Sequence, residues 1–186
     1  MIKRERYVDL VEVAKLIANH NIVLFFNGRS EAGCRALGNR SILSNPSTPY
    51  GKNIVNQEKG REWFRPLAAS ILEEETDEWF LTKGRKCLPF MTHTLYAKTT
   101  SQNRIPNALH VDNSCRIQTV NKTQNPHYYK LIQEFFKLTN IPLLINTSFN
   151  LAGEPIVETP KDAIASFIKS PFPYLYFADT KCLLKK

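Results

Sequence analysis

The sequence has no long hydrophobic run and no paired-cysteine motif, and each absence narrows the class of protein. No apolar stretch approaches the ~20 residues that a membrane-spanning helix needs. The four cysteines contain no CxxC spacing, and the four histidines do not complete a zinc pattern with them. We therefore expect reduced thiols, no zinc site, no membrane partner and a cytoplasmic protein. The N-terminal MIKRERY is charged and lacks a following apolar segment, so it does not predict a signal peptide.

Acidic residues are also in short supply. The chain of 186 residues has 25 Lys and Arg against 17 Asp and Glu, which gives a net charge of +8. This balance favours an anionic partner such as a nucleic acid, a nucleotide or a phosphorylated metabolite. The length suits one domain, residues 1–186, and is large enough to fold without disulfides or a metal.

The pattern of apolar and capping residues predicts an α/β fold. Apolar runs predict strands at 22–26, 41–43, 67–72, 92–98, 108–111, 116–120, 141–145, 174–177 and 182–184. Cap residues predict helices that follow Asp9, Thr48-Pro49, Asn125-Pro126 and Thr159-Pro160. Strands outnumber helices and their order is mixed, so we predict a twisted mixed sheet with flanking helices.

The segment FNGRSEAGCRALGNRSIL, residues 26–43, combines three glycines with Arg29, Arg35 and Arg40. Glycines after a strand let the backbone approach a ligand, and arginines donate paired hydrogen bonds to phosphate oxygens. Neither the GxxxxGK[ST] nor the GxGxxG fingerprint is present. We favour anion binding over a solvated loop with a salt bridge at Glu31.

Two further segments carry cations. EKGREWFRP, residues 58–66, contains Lys59, Arg61 and Arg65, although cations at a helix end also have a purely structural explanation. HVDNSCRIQ, residues 110–118, places four polar side chains on one strand face if the turn between them is tight; these are His110, Asp112, Arg116 and Gln118.

A buried strand predicted over 141–145 runs into small polar residues, including Asn146 and Ser148. Such residues at the carboxyl end of a strand are typical of a ligand site in an α/β fold, because amides and hydroxyls bind a carbonyl, a ribose or a phosphate. A turn in which Asn and Ser cap their own backbone explains them equally well.

These segments, with the helix between residues 125 and 139, resemble in order the C-terminal domain of the NodU/CmcH carbamoyltransferase family. Cys34 departs from the family, which usually has proline in the motif GPRALGNR. The resemblance implies a single YrdC-like domain. Full-length members also have a larger N-terminal transfer domain with a histidine-bound metal, so the resemblance implies that this transfer domain is absent here.

The resemblance also implies a reaction, in which carbamoyl phosphate and ATP form carbamoyl-adenylate for O-carbamoylation by the transfer domain. It implies that Arg35, Lys59, Arg65 and Arg116 hold phosphates, and that Asn146 and Ser148 hold the carbamoyl amide or the nucleotide. The expected catalytic residues are His110, Arg116 and Lys59, while Arg29, Arg40 and Arg61 are second choices. Mg²⁺ is expected as a counter-ion of the phosphates, with no protein ligand assigned.

Two other interpretations stay open. In the first, the chain is a basic nucleic-acid-binding module that contacts nucleic acid through the patch around Arg61 and Arg65. In the second, it is a non-catalytic partner subunit. The arginines lie in glycine-containing and Asn/Ser motifs rather than along one exposed row of lysines, and this disfavours a nucleic-acid interface. The expected partner is a transfer domain or subunit of the N-terminal type.

Overall fold

One nine-stranded sheet forms the centre of the computed structural model, which describes residues 2–186. The strands are β1 (Lys3–Glu5), β2 (Val23–Phe26), β3 (Arg40–Ser44), β4 (Ala68–Leu72), β5 (His93–Tyr96), β6 (Ser114–Val120), β7 (Leu143–Ser148), β8 (Tyr174–Phe177) and β9 (Cys182–Lys185). The helices are α1 (Leu10–Ala18), α2 (Gly51–Glu58), α3 (Thr76–Trp79), α4 (Thr99–Gln102), α5 (Pro126–Thr139) and α6 (Pro160–Lys169).

The sheet is mixed, with the strand order β1-β9-β8-β2-β3-β7-β4-β6-β5. The pairs β2–β8 and β4–β6 are parallel, and the other neighbouring pairs are antiparallel. This arrangement, with its flanking helices, confirms the predicted α/β class. Within residues 2–186, no helix combines the length and hydrophobicity needed to cross a bilayer.

Local capping signals place three helices as predicted. The Asp9 carboxylate accepts a hydrogen bond from the Glu12 amide at 3.0 Å, and Asn125 caps α5 through the amide of Tyr128. Thr159 and Asp162 form a reciprocal capping box at the start of α6. Each cap satisfies helix amides that lack an intrahelical partner, which is why the sequence alone locates these helix starts.

Two predicted features are wrong in detail. Thr48 does not cap α2, which begins after Tyr50 in a left-handed conformation with φ 56°; the Thr48 hydroxyl instead lies 3.2 Å from Nδ1 of His20. Residues 108–111 do not form a strand. A 3₁₀ turn ends at Ala108, and a tight turn follows, in which the His110 amide donates to the Ser114 carbonyl oxygen at 2.7 Å.

Helices α1 and α5 pack together over the sheet, where Phe25 of β2 contacts Tyr128 of α5 with ring centroids 6.0 Å apart. Gly38 lies against the same tyrosine with φ +102°, and a Cβ at Gly38 would lie 2.1 Å from the ring. Glycine is therefore required at position 38 both by the positive φ of the backbone and by the lack of room for a side chain. This contact seats the loop that carries Arg35 on the core.

Substitution of Gly38 tests that seating. We expect Gly38→Ala to lower the free energy of unfolding by about 1–3 kcal/mol more than Gly33→Ala, because the added methyl group overpacks the buried tyrosine. Gly33 is the matched control, since its φ is +133° but no atom lies within 4 Å of the position that an added methyl group would take. Urea denaturation of both variants measures the difference, and equal losses would contradict the close contact.

Candidate anion-binding site

Two adjoining cavities form an arginine cleft beside the carboxyl end of β7. The large cavity, about 340 Å³, is lined by Arg35, Arg61, Arg65, Pro66, Leu67, Thr94, His110 and Arg116. The small cavity, about 80 Å³, is lined by Cys34, Arg35, Ala36, Arg61, Met91, Arg116, Asn146, Thr147 and Ser148. Three arginines line both cavities and so mark the boundary between them: Arg35, Arg61 and Arg116.

The sheet register sets the spacing of the polar side chains in the cleft. Asn146 of β7 pairs with Ala68 of β4, and Arg116 of β6 pairs with Thr94 of β5. Because Ala69 pairs with Ile117, Ala68 and Arg116 are also neighbours. Residues directly opposite one another in a sheet point to the same face. Asn146 and Arg116 therefore share one row, separated by a small alanine.

The loop between β2 and β3 brings Arg35 over this row. The Glu31 carboxylate accepts hydrogen bonds from the amides of Leu37 and Asn39 at 2.6 and 2.8 Å. Gln118 of β6 donates from Nε2 to the Leu37 carbonyl oxygen at 2.9 Å. Side chains thus bind the backbone of the loop at Leu37 and Asn39, so Arg35 projects from an anchored segment although it is itself exposed.

The electrostatic character of the cleft is strongly positive. Among residues 2–186, none of the three shared arginines forms a salt bridge, whereas Arg65 pairs with Glu62 at 3.2 Å. Burial lowers the pKa of Arg116 and of Arg61, and neighbouring arginines lower both further. The Nε of Arg116 is buried without a hydrogen-bond partner within this same range. Unpaired guanidinium groups in this arrangement can bind an anion.

Lys59 lies behind the cleft rather than among its lining residues, and only 5% of it is exposed. Its Nζ donates to the carbonyl oxygens of Ser148 and Asn150, to the Asn150 Oδ1 and to the Ser148 Oγ, at 2.7–3.2 Å. Burial, and then the charge of Arg61, lower the pKa of Lys59 to about 7. The four acceptor oxygens oppose this shift, since they favour the ammonium form. In the structure Lys59 fixes the end of β7.

His110 sits in the large cavity, and its Nδ1 lies 2.9 Å from the Ser114 hydroxyl. That hydroxyl donates to the Asp112 carboxylate at 2.6 Å, so it accepts from Nδ1–H and leaves Nε2 as the free ring nitrogen. Burial lowers the pKa of His110 from 6.5; Asp112 opposes this, while Arg116 and Lys52 add to it. The neutral form of His110 therefore predominates near pH 7.

The lowered pKa of His110 predicts a pH dependence of stability. Just below pH 6.5, the unfolded chain binds a proton that the folded chain does not, so the free energy of unfolding rises as pH rises through this window. We expect His110→Gln to flatten that rise. Urea denaturation of both proteins between about pH 5 and 7.5 measures it, and parallel curves for wild type and variant would contradict the assignment.

Six of the predicted binding and catalytic residues line the cleft: Arg35, Arg65, His110, Arg116, Asn146 and Ser148. The seventh, Lys59, contacts Ser148 from behind. Of the polar side chains predicted to share a face, Gln118 is buried beneath the loop and Asp112 pairs with Ser114. The roles of these residues toward ligands stay predictions.

The second-choice arginines separate clearly. Arg40 is buried over the Phe26 ring and donates to backbone oxygens, including those of Gly28 and Glu158, so its role is structural. Arg29 is exposed, and Arg61 lines both cavities. By its position Arg61 therefore belongs with the first choices. The sequence signal available for Arg61 is its place in the same short segment as Lys59 and Arg65.

The cleft does not fit a protein-held magnesium ion. No carboxylate lines either cavity, and residues 2–186 contain no group of three or more His, Cys, Asp or Glu side chains that could hold a metal. Mg²⁺ usually takes one or two protein carboxylates in addition to phosphate oxygens. The residues that line the cleft therefore supply no carboxylate ligand for Mg²⁺.

Comparison with solved structures identifies the class of fold. The match to a full-length HypF solved with phosphate and nucleotide covers 95% of this chain and 24% of the HypF chain, with a TM-score of 0.60 and 15% identity. A Sua5 variant of P. abyssi matches 90% of this chain and 49% of its own, with a TM-score of 0.56 and 14% identity. The fold is thus that of a YrdC-like α/β domain, as predicted.

Sequence comparison identifies the family. Residues 14–185 match the family described as "Carbamoyltransferase C-terminus", and the chain belongs to it. It is 43% identical over 157 residues to nodulation protein NolO of Bradyrhizobium diazoefficiens, covering 83% of this chain and 29% of that protein. It is 40% identical over 145 residues to nodulation protein U of Sinorhizobium fredii, and the match covers 78% of this chain and 26% of that protein. The chain spans less than a third of the length of either relative.

Proposed function

We propose that the arginine cleft binds carbamoyl phosphate and ATP and forms carbamoyl-adenylate, which a transfer domain then uses to carbamoylate a hydroxyl group. The observation that carries the proposal is the set of three arginines shared by both cavities without a carboxylate partner in residues 2–186. Membership of the carbamoyltransferase C-terminal family supports the carbamoyl chemistry.

The two cavities suit two ligands of different size. The small one, about 80 Å³, suits the carbamoyl group, with the phosphate at the arginine boundary. The large one, about 340 Å³, suits the phosphates of ATP, which also meet Arg65 and His110. Each charge-assisted hydrogen bond contributes about 1.5–3 kcal/mol, so several are needed to offset the desolvation of two polyanions.

The proposed reaction has two steps. Water attacks the carbonyl carbon of carbamoyl phosphate, the C–O bond to phosphate breaks, and carbamate and inorganic phosphate form. A carbamate oxygen then attacks the α-phosphorus of ATP, and pyrophosphate leaves as carbamoyl-adenylate forms. Arg35, Arg61 and Arg116 stabilise charge on the phosphoryl oxygens. Once a dianion has raised its pKa, His110 donates a proton from Nε2 to the leaving phosphate, and the attacking water gives up its proton to solvent. ATP enters as its magnesium complex.

Residues around Lys59 position this chemistry. Because Lys59 binds the backbone of Ser148 and Asn150, it fixes the end of β7 against the small cavity. The sheet and the anchored loop then hold the arginines without need for a covalent nucleophile. Catalysis in this proposal is mostly positional and electrostatic.

A transfer domain is the proposed partner, and an aromatic patch beside the cleft is its proposed docking surface. Trp63 and Phe64 are 69% and 60% exposed and meet edge to face, with ring centroids 5.8 Å apart. They directly precede Arg65 and Pro66 of the large cavity. Exposed aromatics with arginines are typical anchors of interfaces. The relatives, of which this chain covers only 29% and 26%, have ample chain for such a domain.

The test is to incubate the protein with carbamoyl phosphate and labelled MgATP, and to measure pyrophosphate and carbamoyl-adenylate. We expect pyrophosphate release only when carbamoyl phosphate is present. Candidate acceptor alcohols should give no carbamoylated product by mass spectrometry unless a transfer domain is added. Pyrophosphate release that does not depend on carbamoyl phosphate would overturn the proposal. An acceptor carbamoylated by this chain alone would show that no separate transfer domain is needed.

A further inference from the structure

Asn146 has one amide atom that the fold leaves unused. The residue is 1% exposed, and its Nδ2 donates to the Ala36 carbonyl oxygen at 3.1 Å and to the Ser70 hydroxyl at 3.0 Å. Its Oδ1 is buried and has no hydrogen-bond partner in residues 2–186. A buried acceptor without a donor is costly, and Asn146 lines the small cavity, so its free Oδ1 indicates a ligand that donates.

The orientation of this amide is fixed by its neighbours. The Ala36 carbonyl oxygen can only accept, so the Asn146 atom facing it must be the nitrogen. The Ser70 hydroxyl donates to the Gln118 Oε1 at 2.7 Å, so it too accepts from Asn146. An amide flipped about its axis would bring oxygen against oxygen. The free atom is therefore the Oδ1.

The small cavity offers mostly donors around this acceptor. Asn146 lines the small cavity together with the three shared arginines, which can only donate. The Ser148 hydroxyl also lines it, but that hydroxyl donates to Asn150 at 2.7 Å and accepts from Lys59 at 3.2 Å. A complementary ligand therefore presents anionic or carbonyl oxygens to the arginines and an N–H group to Asn146.

We propose that Asn146 is the specificity-determining residue that selects a carbamoyl group over other acyl groups of the same size. This inference rests on the proposed function, since it assumes that an acyl phosphate occupies the cleft. The NH₂ of a carbamoyl group donates to Oδ1, whereas a methyl group in the same place leaves the acceptor unpaired. A site built to bind a polar group rejects the analogue that lacks it far more strongly than a merely apolar pocket rejects a size mismatch.

The test compares two ligands that differ by one group. Acetyl phosphate carries CH₃ where carbamoyl phosphate carries NH₂, and both keep the carbonyl oxygen and the phosphate. Isothermal titration of the wild-type protein with each, and with inorganic phosphate as baseline, is expected to show carbamoyl phosphate binding about 100-fold more tightly than acetyl phosphate.

Two variants then assign the discrimination to one atom. Asn146→Ala is expected to bring the ratio of the two affinities close to one. Ser70→Ala is the matched control, because it disturbs the same buried network but leaves the Asn146 Oδ1 in place. It is expected to keep the ratio of about 100-fold even if both affinities fall. If Asn146→Ala does not fold, Asn146→Leu, which lacks the acceptor but keeps a similar volume, takes its place and is expected to give the same ratio close to one.

The outcomes separate this inference from the function on which it rests. If neither acyl phosphate binds better than inorganic phosphate, the proposed function fails. If both acyl phosphates bind equally well, the cleft is an acyl phosphate site but the selective role of Asn146 is wrong. If the ratio persists in Asn146→Ala, another group makes the selection and the inference is overturned.

Discussion

Arg35→Glu is expected to weaken carbamoyl phosphate binding at least about 100-fold and to change the free energy of unfolding by less than about 0.5 kcal/mol. The substitution removes one donor from the boundary of the two cavities and places a carboxylate against Arg61 and Arg116. Since Arg35 is exposed and its loop is held through backbone contacts, the fold has little to lose. Calorimetric titration and urea denaturation measure the two effects.

Arg29→Glu is the matched control for this substitution. It makes the same charge reversal in the same loop, at an exposed arginine that lines neither cavity. Long-range attraction of the anion changes in a similar way in both variants, so their difference reports direct contact. Equal losses of affinity in the two variants would mean that Arg35 acts only through net charge and that the cleft is not the binding site.

Lys59→Met is expected to lower the free energy of unfolding by about 2–4 kcal/mol and to abolish carbamoyl-phosphate-dependent pyrophosphate release. The variant fills a similar volume, but it removes the ammonium group that donates to oxygens of Ser148 and Asn150. The Asn150 carbonyl oxygen is then buried against an apolar side chain, while the Ser148 carbonyl oxygen and the Asn150 Oδ1 keep only the hydrogen bonds that the two residues make with each other. The end of β7 then loses its fixed position beside the small cavity. The stability change separates this role from simple loss of a phosphate contact.

Lys15→Met serves as the control for the loss of a lysine. Lys15 forms a solvent-exposed pair with Glu12 at 2.7 Å on α1, and such pairs contribute about 0.2–1 kcal/mol. We expect its stability and its pyrophosphate release to match the wild type within that margin. A Lys59→Met protein as stable as Lys15→Met, yet inactive, would move Lys59 from a positioning role to direct contact with the substrate.

The parts of the fold that the sequence predicts are those set by local chemistry. Asn125-Pro126 and Thr159-Pro160 mark helix starts because the capping bonds form within three residues of the cap. The short strand β1 carries only charged, exposed residues, and it exists because it pairs with β9 from the far end of the chain. The strand predicted at 108–111 is wrong because its apolar pattern does not reflect burial: Val111 is apolar yet fully exposed.

The candidate site, like the fold, is predicted by the sequence only where local motifs define it. Motifs locate most of the cleft residues, because glycine-rich and Asn/Ser segments carry a local signature. Which arginines converge depends on strand order, which places β7 and β6 on either side of β4. That order explains why motifs alone underrate Arg61 and do not predict the free Oδ1 of Asn146. The burial of Lys59 likewise depends on contacts with Ser148 and Asn150, which are distant in sequence.

The most direct test of the central claim is the exchange of labelled pyrophosphate into ATP by the isolated protein. Exchange requires that an adenylate form reversibly in the site, so it reports the second proposed step without any acceptor or transfer domain. The account predicts exchange that depends on carbamoyl phosphate and disappears in Arg35→Glu. Exchange that proceeds equally without carbamoyl phosphate, or no exchange by a protein that binds both ligands, would contradict it.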